Sequence, residues 1–167
     1  KVFRDERGFF FESFNQTNFE KGTNLSPIFV QENYSRSIKG VLRGLHYQLP
    51  PKAQDKLVKV VKGEIFDIVV DIRKSSSTFG KWAGEKISEK NKKQIWVPKG
   101  FAHGFLVLSE IAEVIYKTTD YYTPQFERCI LWNDPKLSID WNLNEEYLLL
   151  SNKDKKGELI QNVQVFD

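Results

Sequence analysis

Two short runs of β-branched and apolar residues, KLVKVV (56–61) and EIFDIVVDI (64–72), stand on either side of Lys62-Gly63. Neither run is long enough for a typical helix, and both carry the residues that suit a pleated surface. The glycine-bearing dipeptide between them predicts a β-hairpin. The same texture recurs along the chain. Asp5-Glu6-Arg7-Gly8 is turn chemistry leading into an aromatic strand at 9–14, and 29–35 alternates with Phe29, Gln31 and Asn33 on one side. Further strands are expected at 82–87, 94–98, 101–107, 113–119 and 127–132, with a loop at 75–80 and a turn at Pro98-Lys99-Gly100. Strands at intervals of about 8–12 residues, punctuated by Gly and Pro, predict an all-β sandwich or barrel. Short helices are expected only at 15–21 and at 144–150, the second inside an Asn/Asp/Pro-rich and irregular tail that starts at Asn133. There is no βαβ alternation, no G-x-G-x-x-G, no phosphate loop and no internal repeat.

The rest of the composition narrows the class. A chain of 167 residues predicts one domain, 1–167, with a real core. Its 25 basic and 22 acidic residues leave a net charge of only +3, without a basic run, so nucleic acid is not an expected partner. Cys129 is alone in the sequence, which excludes a disulfide framework and a multi-cysteine zinc site; a buried, inert thiol is expected. No apolar run approaches the roughly 18 residues of a membrane span, and no secretory h-region is visible. The chain opens at Lys1, directly in a strand-like run, so it is expected to begin downstream of a natural start, with the cytoplasm as default location.

Polar residues that do not belong on an apolar β-face mark the candidate site. RGLHYQ (43–48) crowds Arg43, His46 and Gln48 around Gly44, and Lys56 shares strand parity with Val58 and Val60. A cation and an imidazole on an inward face cost free energy unless they work there. Strand parity puts Arg43 and His46 on opposite faces, and only a bulge at Gly44 would bring them together. His46 and His103 are the two histidines of the chain, but the Tyr-Gln-Leu-Pro-Pro after His46 lacks the usual spacing of metal ligands. Taken alone, His103 reads equally as structural, Tyr116 as core, Asp154 of SNKDKK as a solvated loop acid, and Arg7 with Glu12 as a weak surface ion pair. A base, a cation and a phenol in a β-barrel suit proton transfer beside a carbonyl, or the binding of an anion.

The segments FRDERGFFFESF, FVQENYSRS, GVLRGLHYQLPPKAQDKLVKVVKGEIFDIVVDIRKSSSTFGKW, IWVPKGFAHGFLVLSE, YKTTDYYTPQFERCILWNDP and LSNKDK follow one another in this order. Together they closely resemble the dTDP-4-dehydrorhamnose 3,5-epimerase family over nearly the whole chain. The departures are at the front, where the family has a further short segment, and beyond Lys156. The resemblance implies a cupin-type double-stranded β-helix, a jelly-roll barrel with a few short peripheral helices. It also implies a homodimer acting without cofactor or metal on a dTDP-4-keto-6-deoxyhexose, in deoxysugar biosynthesis. By match to the family, His46 is the general base, Asp154 the acid paired with it, Tyr116 the general acid and Lys56 the lysine near the substrate carbonyl. His103 lines the sugar site. Arg7, Glu12, Gln31, Asn33, Arg43, Glu127 and Lys153 match nucleotide-sugar contacts, and Tyr122, rather than Tyr121, is the residue expected to stack on the base.

That constellation fits the chemistry. The C3 and C5 protons of a 4-keto sugar are both α to one carbonyl, so either loss gives an enolate with charge on O4, which a cation stabilises. A histidine near its ordinary pKa of about 6.5 suits the base, and a carboxylate on its other nitrogen fixes the tautomer. Inversion requires a donor on the opposite face, and a phenol with a pKa of about 10 is protonated at pH 7. Rival readings are a single-centre epimerase or ketoisomerase, a non-catalytic nucleotide-sugar sensor, and a metal-dependent cupin oxygenase.

Overall fold

In this computed structural model, which describes residues 1–142 and 147–167, the chain begins with β1 (Val2–Asp5), β2 (Gly8–Phe11), helix α1 (Gln16–Thr23), β3 (Gln31–Ile38) and β4 (Leu42–Gln48). It continues through β5 (Lys56–Lys62), β6 (Glu64–Asp71), β7 (Trp82–Ser88), β8 (Gln94–Val97), β9 (Phe101–Val107) and β10 (Ile111–Thr118). A 3₁₀ turn (Pro124–Phe126), β11 (Glu127–Cys129) and α2 (Asn152–Lys155) complete it.

Strands β5 and β6 are each where the apolar runs place them, but they do not form the expected hairpin. Only Gly63 separates them, whereas the tight hairpin turn takes about two residues. The chain therefore turns a corner, and the two strands enter different sheets. Gly63 makes the corner at φ +76°, and a Cβ there would stand 2.1 Å from the carbonyl oxygen of Ile111. The flanks of β5 are taken by β10 and β8, and those of β6 by β9 and β7.

The result is a four-stranded sheet, β3-β10-β5-β8, facing a five-stranded one, β11-β4-β9-β6-β7. Apart from β6 to β7, each step from β3 to β11 changes sheet, which is the winding of a cupin-type double-stranded β-helix. Val58, Val60, Ile65, Val97, Phe105, Val107 and Val114 fill one end of the space between the sheets. The outer face of the five-stranded sheet is covered as well: Leu45, Tyr47, Ile68, Val70 and Leu106 pack under Leu137, Trp141, Ile160, Val163 and Val165. Burial on both faces explains why EIFDIVVDI shows no clean alternation.

The irregular tail is what covers the sheet. It is tied down by bridges from Leu149 to Val41, Glu158 to Ile130 and Phe166 to Arg73. The expected helix at 144–150 begins outside the described residues, and its described remainder is bridged to Val41 through Leu149. The helical turn comes just after it, as α2. The expected N-terminal helix is α1, capped by Asn15, whose side chain accepts from the Asn18 amide at 3.1 Å.

Candidate active site

The other end of the space between the sheets is open, and its residues follow from register. On β10, Tyr116 stands opposite Asn33 of β3 and Val58 of β5, and Thr118 opposite Gln31 and Lys56. Side chains directly opposite share a face, so Gln31, Asn33, Tyr116 and Lys56 line one wall of a cleft of about 520 Å³. The opposite wall needs Arg43 and His46 on the same face, against simple parity. The pairing of β4 with β9 shifts by one residue between Arg43↔Phe105 and His46↔His103. Gly44 is the extra residue, at φ +144°, with room for no side chain: a Cβ would lie 2.5 Å from the Cα of Gly104. The shift turns Leu42, Leu45 and Tyr47 to the outer core and leaves Arg43, His46 and Gln48 on the cleft side.

His46 Nε2 lies 2.6 Å from Asp154 Oδ1. The loop-like SNKDKK thus folds so that its acid is buried, not solvated. Ser151 caps α2 by accepting from the Asp154 amide at 3.2 Å, and its hydroxyl donates to Asp154 Oδ2 at 2.6 Å. The Gly44 amide at the bulge also points at Asp154 Oδ1, at 3.4 Å. Burial pushes the Asp154 carboxyl up, but the bonds from His46 and Ser151 outweigh it and hold it below its ordinary value. Burial, helped by the charges of Lys153 and Lys56, lowers His46 despite that carboxylate. The imidazole is therefore neutral at pH 7, with Nε2 committed to Asp154 and Nδ1 left for a proton from the cleft.

Lys56 donates to the carbonyl oxygen of His46 at 3.4 Å, and desolvation lowers it to about 8, against the opposing pull of Glu127 and Asp67. Burial raises the Tyr116 hydroxyl, so it stays protonated at neutral pH. Lys153 donates to Glu127 Oε1 at 2.8 Å, and Tyr122 donates to Glu127 Oε2 at 2.9 Å, at the rim of the cleft. Tyr122 lines the cleft, while Tyr121 contributes its carbonyl, which accepts from Gln48 and from the Thr123 hydroxyl. Arg43 donates to Ser37 at 3.1 Å, across the gap between the sheets. Gln48 is buried and clamps the loop after β10, its Oε1 accepting from the Thr123 amide at 2.7 Å.

His103 also lines the cleft, and its Nε2 meets Asp67 at 2.9 and 3.0 Å. Asp67 was not singled out from the sequence, although an acid in the apolar run EIFDIVVDI was a usable signal. Two matched residues lie elsewhere. Arg7 is an exposed turn residue paired with Asp5 at 2.6 Å, not with Glu12, and Glu12 accepts from Asn15 and Asn18 at 3.1 Å. Neither lines the cleft of its own chain. Cys129 is half-buried and sits across from His46 in the β11–β4 ladder; burial, with Asp154 nearby, pushes its thiol up to about 12.

Residues 1–162 match the model of the family described as dTDP-4-dehydrorhamnose 3,5-epimerase. The dTDP-4-dehydrorhamnose 3,5-epimerase of Pseudomonas aeruginosa is 56% identical over 166 residues, which is 99% of this chain and 91% of that one. Among solved structures, the dTDP-6-deoxy-D-glucose-3,5-epimerase of Legionella pneumophila, in complex with dTDP-4-keto-L-rhamnose, superposes with a TM-score of 0.94. It is 52% identical, with 98% of this chain and 86% of that one covered. The Bacillus anthracis dTDP-4-dehydrorhamnose 3,5-epimerase, solved with TDP and PPi bound, gives 0.91 at 44% identity, covering 95% and 90%.

Proposed function

The chain belongs to the dTDP-4-dehydrorhamnose 3,5-epimerase family, and on that premise we propose that it converts dTDP-4-dehydro-6-deoxy-D-glucose to dTDP-4-dehydro-L-rhamnose with its own side chains as acid and base. The observation that carries the assignment of roles is His46 held at 2.6 Å by a buried Asp154 in the wall of an open cleft. His46 Nδ1 takes the proton from C3, and in a second round from C5; Asp154 stabilises the imidazolium that forms. Charge accumulates on O4 each time, and the desolvated ammonium of Lys56 faces it. Tyr116, on the sheet across the cleft from His46, returns a proton to the opposite face of the sugar. Arg43 and Lys153 supply cations for the diphosphate, and Tyr122 an exposed ring for the thymine.

Arg7 and Glu12 enter this reading through a homodimer. The β1–β2 hairpin that carries the Arg7 turn exposes Phe3, Phe9 and Phe10, the last 72% exposed, an apolar surface suited to a second copy of the chain. Arg7 and Glu12 would then serve the partner's cleft. We place the reaction in the cytoplasm, where nucleoside diphosphate sugars are assembled from the nucleotide pool.

The test is proton–deuterium exchange on the dTDP-4-keto-6-deoxyhexose in D2O, without added cofactor or metal. Deuterium should enter C3 and C5. Exchange at C3 alone would assign a single-centre epimerase, and none would favour a binding protein.

A further inference from the structure

Among the described residues, one group of histidine, cysteine and carboxylate side chains is tight enough to hold a metal ion. His46, Cys129 and Asp154 each bring a ligand atom to within 4.8 Å of the other two. The register explains the group: Cys129 of β11 is the direct cross-strand partner of His46, and Asp154 approaches from α2. We propose that these three residues form an inhibitory site for a soft divalent cation such as Zn²⁺ or Cd²⁺, which takes the place of the proton shared by His46 and Asp154 and so removes the base.

The donor set selects the ion. Thiolate and imidazole favour zinc-like ions, whereas Mg²⁺ and Ca²⁺ take oxygen ligands. At bond lengths of about 2.0–2.3 Å, tetrahedral ligand atoms stand roughly 3.3–3.6 Å apart. Binding thus requires the 2.6 Å His46–Asp154 contact to open and the sulfur to close in. The thiol releases one proton to solvent, and the proton between Nε2 and Oδ1 moves to Nδ1 of the same ring. Asp154 and the new thiolate then bring two negative charges to the two positive charges of the ion, with a neutral imidazole as third ligand. His46 and Asp154 line the cleft, so water completes the coordination from that side.

Cd²⁺ or Zn²⁺ titrated alone into the full chain provides the test, with thiolate-to-cadmium charge-transfer absorbance as the binding readout. Residual solvent exchange of the sugar, after incubation with metal, is read in parallel. Wild type should show the absorbance, lose exchange over the same metal range and recover with EDTA, while Mg²⁺ does nothing. Loss of an outer-shell partner of a metal costs roughly 10–100-fold in affinity, and loss of a ligand should cost at least that. Cys129→Ser should abolish the absorbance and raise the half-inhibiting concentration at least about tenfold, each variant being referred to its own metal-free rate. His46→Ala, which keeps the thiol, should bind at least about tenfold more weakly in the absorbance readout. Undiminished cadmium affinity in His46→Ala would place the metal on the cysteine without the histidine and overturn the site. So would a Cys129→Ser variant inhibited at the wild-type concentration; both are assayed at equal substrate, so metal drawn off by the diphosphate cancels. A wild-type chain without any exchange activity would defeat the functional reading, and the absorbance alone would then decide the site.

Discussion

Two histidine–carboxylate pairs stand at the cleft, their histidines on adjacent strands, and they are built differently. His46 and His103 face each other in the β4–β9 ladder. Asp67, the partner of His103, comes from β6, an interior strand of the five-stranded sheet; its side chain is 0% exposed and both oxygens lie within 3.0 Å of Nε2. Asp154, the partner of His46, comes from one turn of helix in the tail and uses one oxygen for the ring and the other for Ser151. The His46 side chain is 23% exposed toward the cleft and that of His103 only 8%. A pair anchored on both sides by barrel strands holds a shape. A pair with one member on the rim can exchange a proton with something in the cleft. Similar partners at similar distances thus point to different jobs.

Breaking the rim pair should have the largest effect. His46→Ala should lower solvent exchange at both carbons by about ten-thousandfold, the upper range for a general base. Asp154→Asn should cost roughly two to four orders of magnitude in kcat, because an amide favours the wrong tautomer of the ring. Exchange that survives in His46→Ala would hand the base role to His103 and invert the comparison.

Tyr116→Phe tests whether the rim pair works alone. The base can still form the enolate and return a proton to the face it came from, so exchange should persist while inversion is lost. Substrate recovered deuterated but unepimerised is the expected result by mass spectrometry and NMR. Equal loss of both would make the phenol part of proton removal and end the two-face division of labour.

Lys56 separates the pairs by pH. Replacing it with Met should cost about two to three orders of magnitude in kcat, as for one lost oxyanion donor, while the melting temperature holds or rises because a desolvated cation has gone. The working form is the ammonium, its pKa lowered by desolvation to about 8 in the free protein, so kcat/KM should fall as pH rises through that value. His46 must be neutral and is lowered from its ordinary 6.5, so the acid limb should lie below 6.5. In Lys56→Arg the alkaline limb should leave the accessible range, since a guanidinium stays charged. A limb still near 8 in that variant would belong to another group.

The smallest kinetic effect should come from the interior pair. Asp67→Asn should change kcat by less than roughly tenfold, yet destabilise the fold by about 1–3 kcal/mol through a poorly satisfied buried contact, measured by urea denaturation. A kcat loss as large as that of Asp154→Asn would show that the two pairs are not distinct in function.

Part of the fold was legible in the sequence alone. The strand positions were, since alternation and Gly/Pro punctuation report local geometry, and so was the inward direction of Lys56, two residues from Val58 in one strand. The sequence suggests a hairpin at Gly63 where the fold has a corner, because which sheet a strand joins depends on partners more than thirty residues away. The bulge at Gly44 was an open alternative, since a one-residue slip leaves no mark in composition and shows only against β9.

The sequence by itself therefore determined the inventory: an all-β chain with short strands, a lone thiol and a matching run of family motifs that name the base, the cation and the phenol. Local chemistry is enough for that, because propensity and motif depend on neighbours along the chain. Tertiary structure decided the geometry of the pairings, and it alone supplied those that no motif names. Taken alone, Asp154 reads as a solvated loop acid; the family match pairs it with His46, and the fold places it, buried, 2.6 Å from that histidine 108 positions earlier. Asp67 gains its partner only when β6 and β9 lie side by side, and Cys129 its two neighbours only when β11 pairs with β4 and α2 brings up Asp154. Arg7 and Glu12 read as members of the site and stand outside the cleft of their own chain. A side chain's protonation state and role depend on what surrounds it in space, and the folded barrel supplies those surroundings from distant parts of the chain.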